Sequence, residues 1–231
     1  MKEHIKIGDV DIEVTFKNIK NLHLSVHPPQ GLVTISSPEF YDLEKVKIYA
    51  ATKLAWIKKE QKKFQEQLRE QERLYITQES HYFLGERYLL SVTESSRNTV
   101  DLKGKRILLT SKDLNNIALK EATVYKFYRR ELRRILTERV NFFSKQLGVE
   151  TPKFKIRTMK TKWGSCSSSK EQIWFNIELA KKPLICIDYI VVHELVHLLE
   201  RRHNKRFVLL MDQHFPSWRT VKKQLNDLPI K

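Results

Sequence analysis

With 231 residues the chain can bury a sizeable core in one or two domains, and 41% hydrophobic with 10% aromatic residues excludes a disordered polymer. Forty-three Lys and Arg against 27 Asp and Glu leave a net charge of +16, which fits an anionic partner (nucleotide, nucleic acid, acidic protein surface) or a solvated basic surface. Two cysteines exclude a disulfide framework, the first residues lack a signal-peptide core, and no stretch reaches the ~18 apolar residues of a membrane span, so a cytoplasmic protein without a membrane partner is expected.

The first elements read as β structure. Residues 4–36 predict two hairpins, one turning at Gly8-Asp9 and one at Pro28-Pro29-Gln30-Gly31, with His23 and His27 on the polar side. Asp42 is a candidate N-cap for a long helix reaching about Arg73. Residues 75–111 return to β character, with turns at Gly85-Glu86 and Lys103-Gly104-Lys105. A second long helix is predicted from about Asn115 to Leu147, with Gly148 placed as its C-cap. Arg129, Arg130, Arg133, Arg134 and Arg139 make a basic stripe on it, either a solvated face or a phosphate contact. Residues 151–180 read as strand, Gly-containing loop and strand. A helix from about Leu184 to Arg201 and two short helices then close the chain. No internal repeat is visible.

The chemistry concentrates in His193-Glu194-Leu195-Val196-His197, followed by His203. Positions i and i+4 of a helix share a face, so His193 and His197 can present two imidazoles to one ion. Glu194 then lies beside that ion and can take a proton from its water, and the spacing to His203 lets the chain turn back with a third nitrogen. Three protein ligands with an open position suit a catalytic zinc rather than a structural one. The flanking Ile187, Ile190, Val191, Val192, Leu195, Val196, Leu198 and Leu199 predict a helix apolar nearly all round, hence buried. Polar groups stranded there without a metal would be costly to desolvate. His214 is the competing third ligand, though its place in an amphipathic helix favours packing or surface. Ni, Co and Fe accept the same ligands as zinc.

The run Arg157-x5-Trp163-Gly164-Ser165-Cys166, then Asn176, Leu179, Asp188-Tyr189 and the His193–His197 motif with His203 and Phe207, resembles the YgjP-like family of zinc metallopeptidases, relatives of the SprT-like proteases. The resemblance implies an α+β fold: a zincin-like catalytic domain over 113–231, preceded by a β-rich region with one long helix over 1–112. It also implies His193, His197 and His203 as zinc ligands and Glu194 as general base. Where the metzincin pattern has Gly, this chain has Glu200, so the metal helix is expected to run on to Arg201 or Arg202 before turning.

Arg157, Lys162, Trp163, Gly164, Ser165 and Cys166 are candidate substrate-binding residues. The loop Trp163–Cys166 could supply oxyanion donors, or be a tight turn with Trp163 packed on the metal helix. The leading expectation is hydrolysis of a peptide or protein. The cations Arg157, Lys160, Lys162, Arg201 and Arg202 also suit the phosphoanhydride of a nucleoside triphosphate as substrate of the same site. A DNA-associated protease or binding module is the third expectation.

Overall fold

Strands β1 (Lys2–Ile7) and β2 (Val10–Lys17) pair antiparallel as the first expected hairpin, and β3 (His23–His27) with β4 (Leu32–Pro38) as the second. A parallel pairing of β2 with β4 joins them into one sheet of order β1-β2-β4-β3. The computed structural model describes residues 2–27, 30–66, 72–167 and 172–228. Ile12, Val14, Val33 and Ile35 alternate along the strands, so one face of the sheet is apolar and packs with Val46, Ala50 and Ile57. Those three come from helices α1 (Leu43–Thr52), capped by Asp42, and α2 (Leu54–Glu66). One unbroken helix was the expectation here. The last turn of α1 tightens instead at Lys53, whose N–H reaches the Ala50 carbonyl at 3.0 Å. Residues 67–71 of the expected helix lie outside the described residues.

The second sheet holds β5 (Ser80–Phe83), β6 (Glu86–Glu94), β7 (Thr99–Lys103) and β8 (Arg106–Ser111). Its order β5-β6-β8-β7, with β6 parallel to β8 between antiparallel neighbours, repeats the topology of the first. Each of the four hairpins also carries one positive-φ glycine at its turn: Gly8, Gly31, Gly85 and Gly104. The chain therefore does contain an internal repeat, in pairing rather than in residue identity. Alternating apolar positions preserve such a repeat without preserving sequence.

Helix α3 (Ile117–Leu147) begins at the Asn116 cap and ends at Gly148, left-handed at φ 67° as its C-cap role requires. Strands β9 (Lys153–Arg157), β10 (Gly164–Ser167) and β11 (Gln172–Asn176) then form a sheet of order β10-β11-β9. A 3-10 turn over Ile177–Lys181 leads into α4 (Leu184–Leu199), which is followed by α5 (Lys205–His214) and α6 (Trp218–Asp227). The α+β class expected from the sequence is what the chain adopts.

Two compact units result, 1–68 and 69–231, where the sequence placed a boundary at 112/113. The reason is packing: Phe83, Leu90, Ile107 and Leu109 of the second sheet share one core with Phe127, Tyr128 and Leu132 of α3 and with Ile187 and Val191 of α4. Helix α4 is buried nearly all round, and Asp188 on it receives both guanidinium arms of Arg139 from α3. Among the described residues no helix is long and apolar enough to cross a membrane.

Candidate metal centre

His193 and His197 stand one turn apart on α4, their ring centroids 4.9 Å apart. The helix ends at Leu199, earlier than expected, because Glu200 leaves it in an extended conformation (φ −146°, ψ 111°) that needs no glycine. The Glu200 N–H still donates to the Val196 carbonyl, and its own carbonyl accepts from His197 Nδ1 at 3.1 Å. A bend over 201–204 follows, and Asn204 caps α5 by accepting from the Phe207 N–H. The bend returns His203 to the helix, placing its Nε2 3.1 Å from His193 Nε2. One nitrogen from each of the three imidazoles lies within 4.8 Å of the others. Phe207 backs all three rings, with centroids at 5.0, 4.9 and 4.6 Å.

A cation fits this set. The Glu200 carbonyl holds the His197 proton on Nδ1, which leaves the Nε2 lone pair free to ligate. Burial and the two neighbouring imidazoles push the His193 pKa down to about 3, and burial lowers His197 as well, so these two rings are neutral and each keeps a nitrogen lone pair. His193 Nδ1 is buried with no partner among the described residues. His214, the competing third ligand, is not part of the triad among the described residues.

Glu194 is 4% exposed, and its Oε2 has no partner among the described residues. Burial pushes its carboxyl up to about 8, against the pull of the Lys162 ammonium. Gly164 lies directly against it: a Cβ there would sit 2.5 Å from Glu194 Oε1 and 2.8 Å from its Cγ. Only a residue without a side chain lets β10 pass so close. The loop before β10 is fixed by buried Asn176, whose side-chain amide donates to the Met159 and Lys162 carbonyls at 2.9 Å each. Its backbone N–H donates to the Trp163 carbonyl at 2.8 Å.

These groups open onto a cleft of ≈ 920 Å³. Of the residues expected to meet substrate, Lys162, Trp163, Gly164, Ser165 and Cys166 line it. Arg157 does not line it among the described residues; its guanidinium lies over the ring of Trp174, 4.9 Å from the centroid, and Trp174 is a cleft wall. Trp163 lines the cleft and packs against the apolar core. Burial, then the Glu194 carboxylate, push the Cys166 thiol up to about 11, which keeps it protonated. Sequence reasoning missed Tyr189, Phe207, Trp218 and Lys222 as cleft walls. Tyr189 was readable, being i−4 from His193, whereas Trp218 and Lys222 arrive from α6 through tertiary packing alone. Of the arginine stripe of α3, Arg129, Arg130, Arg133 and Arg134 are exposed and Arg139 is half-buried. Arg129 donates to the Ile156 carbonyl, Arg130 and Arg134 pair with Glu131, and Arg139 pairs with Asp188.

The family description "YgjP-like, metallopeptidase domain" matches residues 20–228. No curated protein matches the chain. Among solved structures it is similar to the metallopeptidase zymogen of Pyrococcus abyssi abylysin, at 21% identity and a TM-score of 0.37 over 39% of this chain and 90% of that one. It is likewise similar to the metallopeptidase zymogen of Methanocaldococcus jannaschii jannalysin, at 21% identity and a TM-score of 0.36 over 39% of this chain and 92% of that one.

Proposed function

Since this chain belongs to the YgjP-like metallopeptidase family, it is a metal-dependent peptidase, and we propose that its ion is zinc, held by His193, His197 and His203 beside Glu194 as general base. The observation that carries the reading is the convergence of three imidazoles within 4.8 Å, next to a buried carboxyl with an unpartnered oxygen. An all-nitrogen set of three with one open position suits a catalytic zinc, although Ni, Co and Fe bind the same donors. When bound, such an ion supplies acidification of a water molecule and polarisation of a substrate carbonyl. Glu194 accepts the water's proton and hands it to the leaving amine, and a carboxyl poised near neutrality does both. Gly164 keeps that carboxyl in register, and Asn176 holds the loop that delivers Gly164. Strand β10 is the edge of its sheet, so an extended peptide can add along it across the cleft.

One observation favours a second substrate class on the same site. Lys162, Arg201 and Lys222 line the cleft, and Glu194 is the one carboxylate among its described lining residues. That excess of cation matches phosphate oxygens, as in the phosphoanhydride of a nucleoside triphosphate. Offering casein-derived peptides and a nucleoside triphosphate panel to the zinc-loaded protein separates the two, because only the true class is consumed. The role of Glu194 has its own test. Glu194→Gln is expected to keep the metal and lower turnover by at least about 10²-fold, the contribution of a positioned general base. Wild-type turnover in that variant would remove Glu194 from the mechanism.

A further inference from the structure

Tyr189 precedes His193 by one turn of α4, so both side chains leave the same helical face. Its ring meets the His193 imidazole edge-on, with centroids 5.8 Å apart, and meets Phe215 at 6.3 Å. Only 4% of the residue is exposed, and it lines the cleft. Three other tyrosines of this core have acceptors for their hydroxyls: Tyr125 donates to Glu178 at 2.7 Å, Tyr128 to the Tyr82 carbonyl at 2.9 Å, and Tyr75 bonds Glu121. The Tyr189 hydroxyl has no such partner among the described residues, although it stands within the electrostatic reach of Glu194. The hydroxyl oxygen is not sealed in the core, so a molecule bound in the cleft can supply the acceptor that the fold does not.

We infer that the Tyr189 hydroxyl donates a hydrogen bond to the substrate oxygen that gains negative charge during hydrolysis, which makes Tyr189 a catalytic residue. The inference rests on the hydrolase reading of His193, Glu194, His197 and His203. A fixed O–H donor beside the reacting group binds that oxygen more strongly as charge grows, so its contribution falls on turnover rather than on ground-state binding. No covalent step involves Tyr189; its proton stays on the phenol oxygen throughout. Its ring has a second duty, steadying the His193 imidazole, and the test has to separate the two.

Tyr189→Phe does so, because it removes the oxygen and keeps the ring. The zinc-loaded variant is compared with wild type for metal content, for kcat and KM on a casein-derived peptide, and for affinity towards a phosphinic peptide whose tetrahedral anion mimics the charged intermediate. Metal content and KM should stay as in wild type, kcat should fall by about 10²-fold, and phosphinic-peptide affinity should weaken by a similar factor. An unchanged kcat, a rise in KM alone, or loss of metal together with activity would each overturn the assignment in favour of a packing role. Wild-type protein that carries zinc and cleaves no peptide would instead bring down the peptidase reading, and the role of Tyr189 with it.

Discussion

Gly164 and Glu194 constrain each other. The glycine gives the carboxylate its space, and any β-carbon there would drive it from the triad. Gly164→Ala should therefore retain metal and fold while losing about 10²-fold in turnover, because a small displacement of a general base is enough for that loss. Parallel metal and activity assays check it, and an alanine variant of full activity would mean that Glu194 tolerates the shift. The buried pair of opposite tendencies, Glu194 pushed up to about 8 from an ordinary 4.5 and His193 pushed down to about 3 from 6.5, also sets how the metal-free protein answers pH. Glu194 is more protonated in the fold than in the unfolded chain, so its contribution is complete below 4.5 and is lost as pH rises through about 8. His193 works the other way: its contribution is complete above 6.5 and is lost as pH falls towards about 3. Metal-free Glu194→Gln should consequently lose less stability than wild type between pH 5 and 8, as read from thermal midpoints; equal slopes would contradict the burial of an ionisable carboxyl. His193, Glu194 and His197 were legible in the sequence because their relation is local to one helix. The part played by Gly164 was not, since it arises from a contact between a sheet edge and a helix far apart in the chain.

At the scale of elements, the position of α4 decides the position of the site. Its entry at Pro183 is clasped by the β5–β6 turn, where the Leu84 and Gly85 N–H groups donate to the Ala180 and Lys181 carbonyls at 2.9 and 3.1 Å. Gly85 sits at φ 82°, and a Cβ there would stand 2.6 Å from the Pro183 ring. Gly85→Ala combines a left-handed backbone with that clash and should cost about 1–3 kcal/mol, measurable by denaturant unfolding. A neutral substitution would show that the turn does not hold the helix. The far end of α4 is where sequence reasoning failed. It asked for a glycine to turn the chain, whereas Glu200 turns it in extended backbone and uses its carbonyl to orient His197. The hairpins were legible because both strands of each are adjacent in sequence. The parallel pairings of β2 with β4 and β6 with β8, and hence the repeated sheet, depend on strands that the local pattern cannot match.

The whole molecule consists of two units with separate apolar cores, and the triad, Glu194 and the cleft all belong to the unit 69–231. Binding of an ion to the folded triad should stabilise that unit by mass action, by about 2.7 kcal/mol when free metal is a hundredfold above Kd. For a unit of this size the gain is a shift of roughly 5–10 °C, and calorimetry should show it in one transition while the transition of 1–68 stays in place. A metal-dependent shift of both transitions would mean that the two units unfold together. The most direct measurement is metal content by mass spectrometry, on wild type beside His193→Ala and Glu194→Gln. The predicted result is about one zinc per chain in wild type and Glu194→Gln, with His193→Ala empty. Wild-type protein without stoichiometric metal after zinc reconstitution, or His193→Ala that binds as well as wild type, would contradict the metal centre on which the account depends.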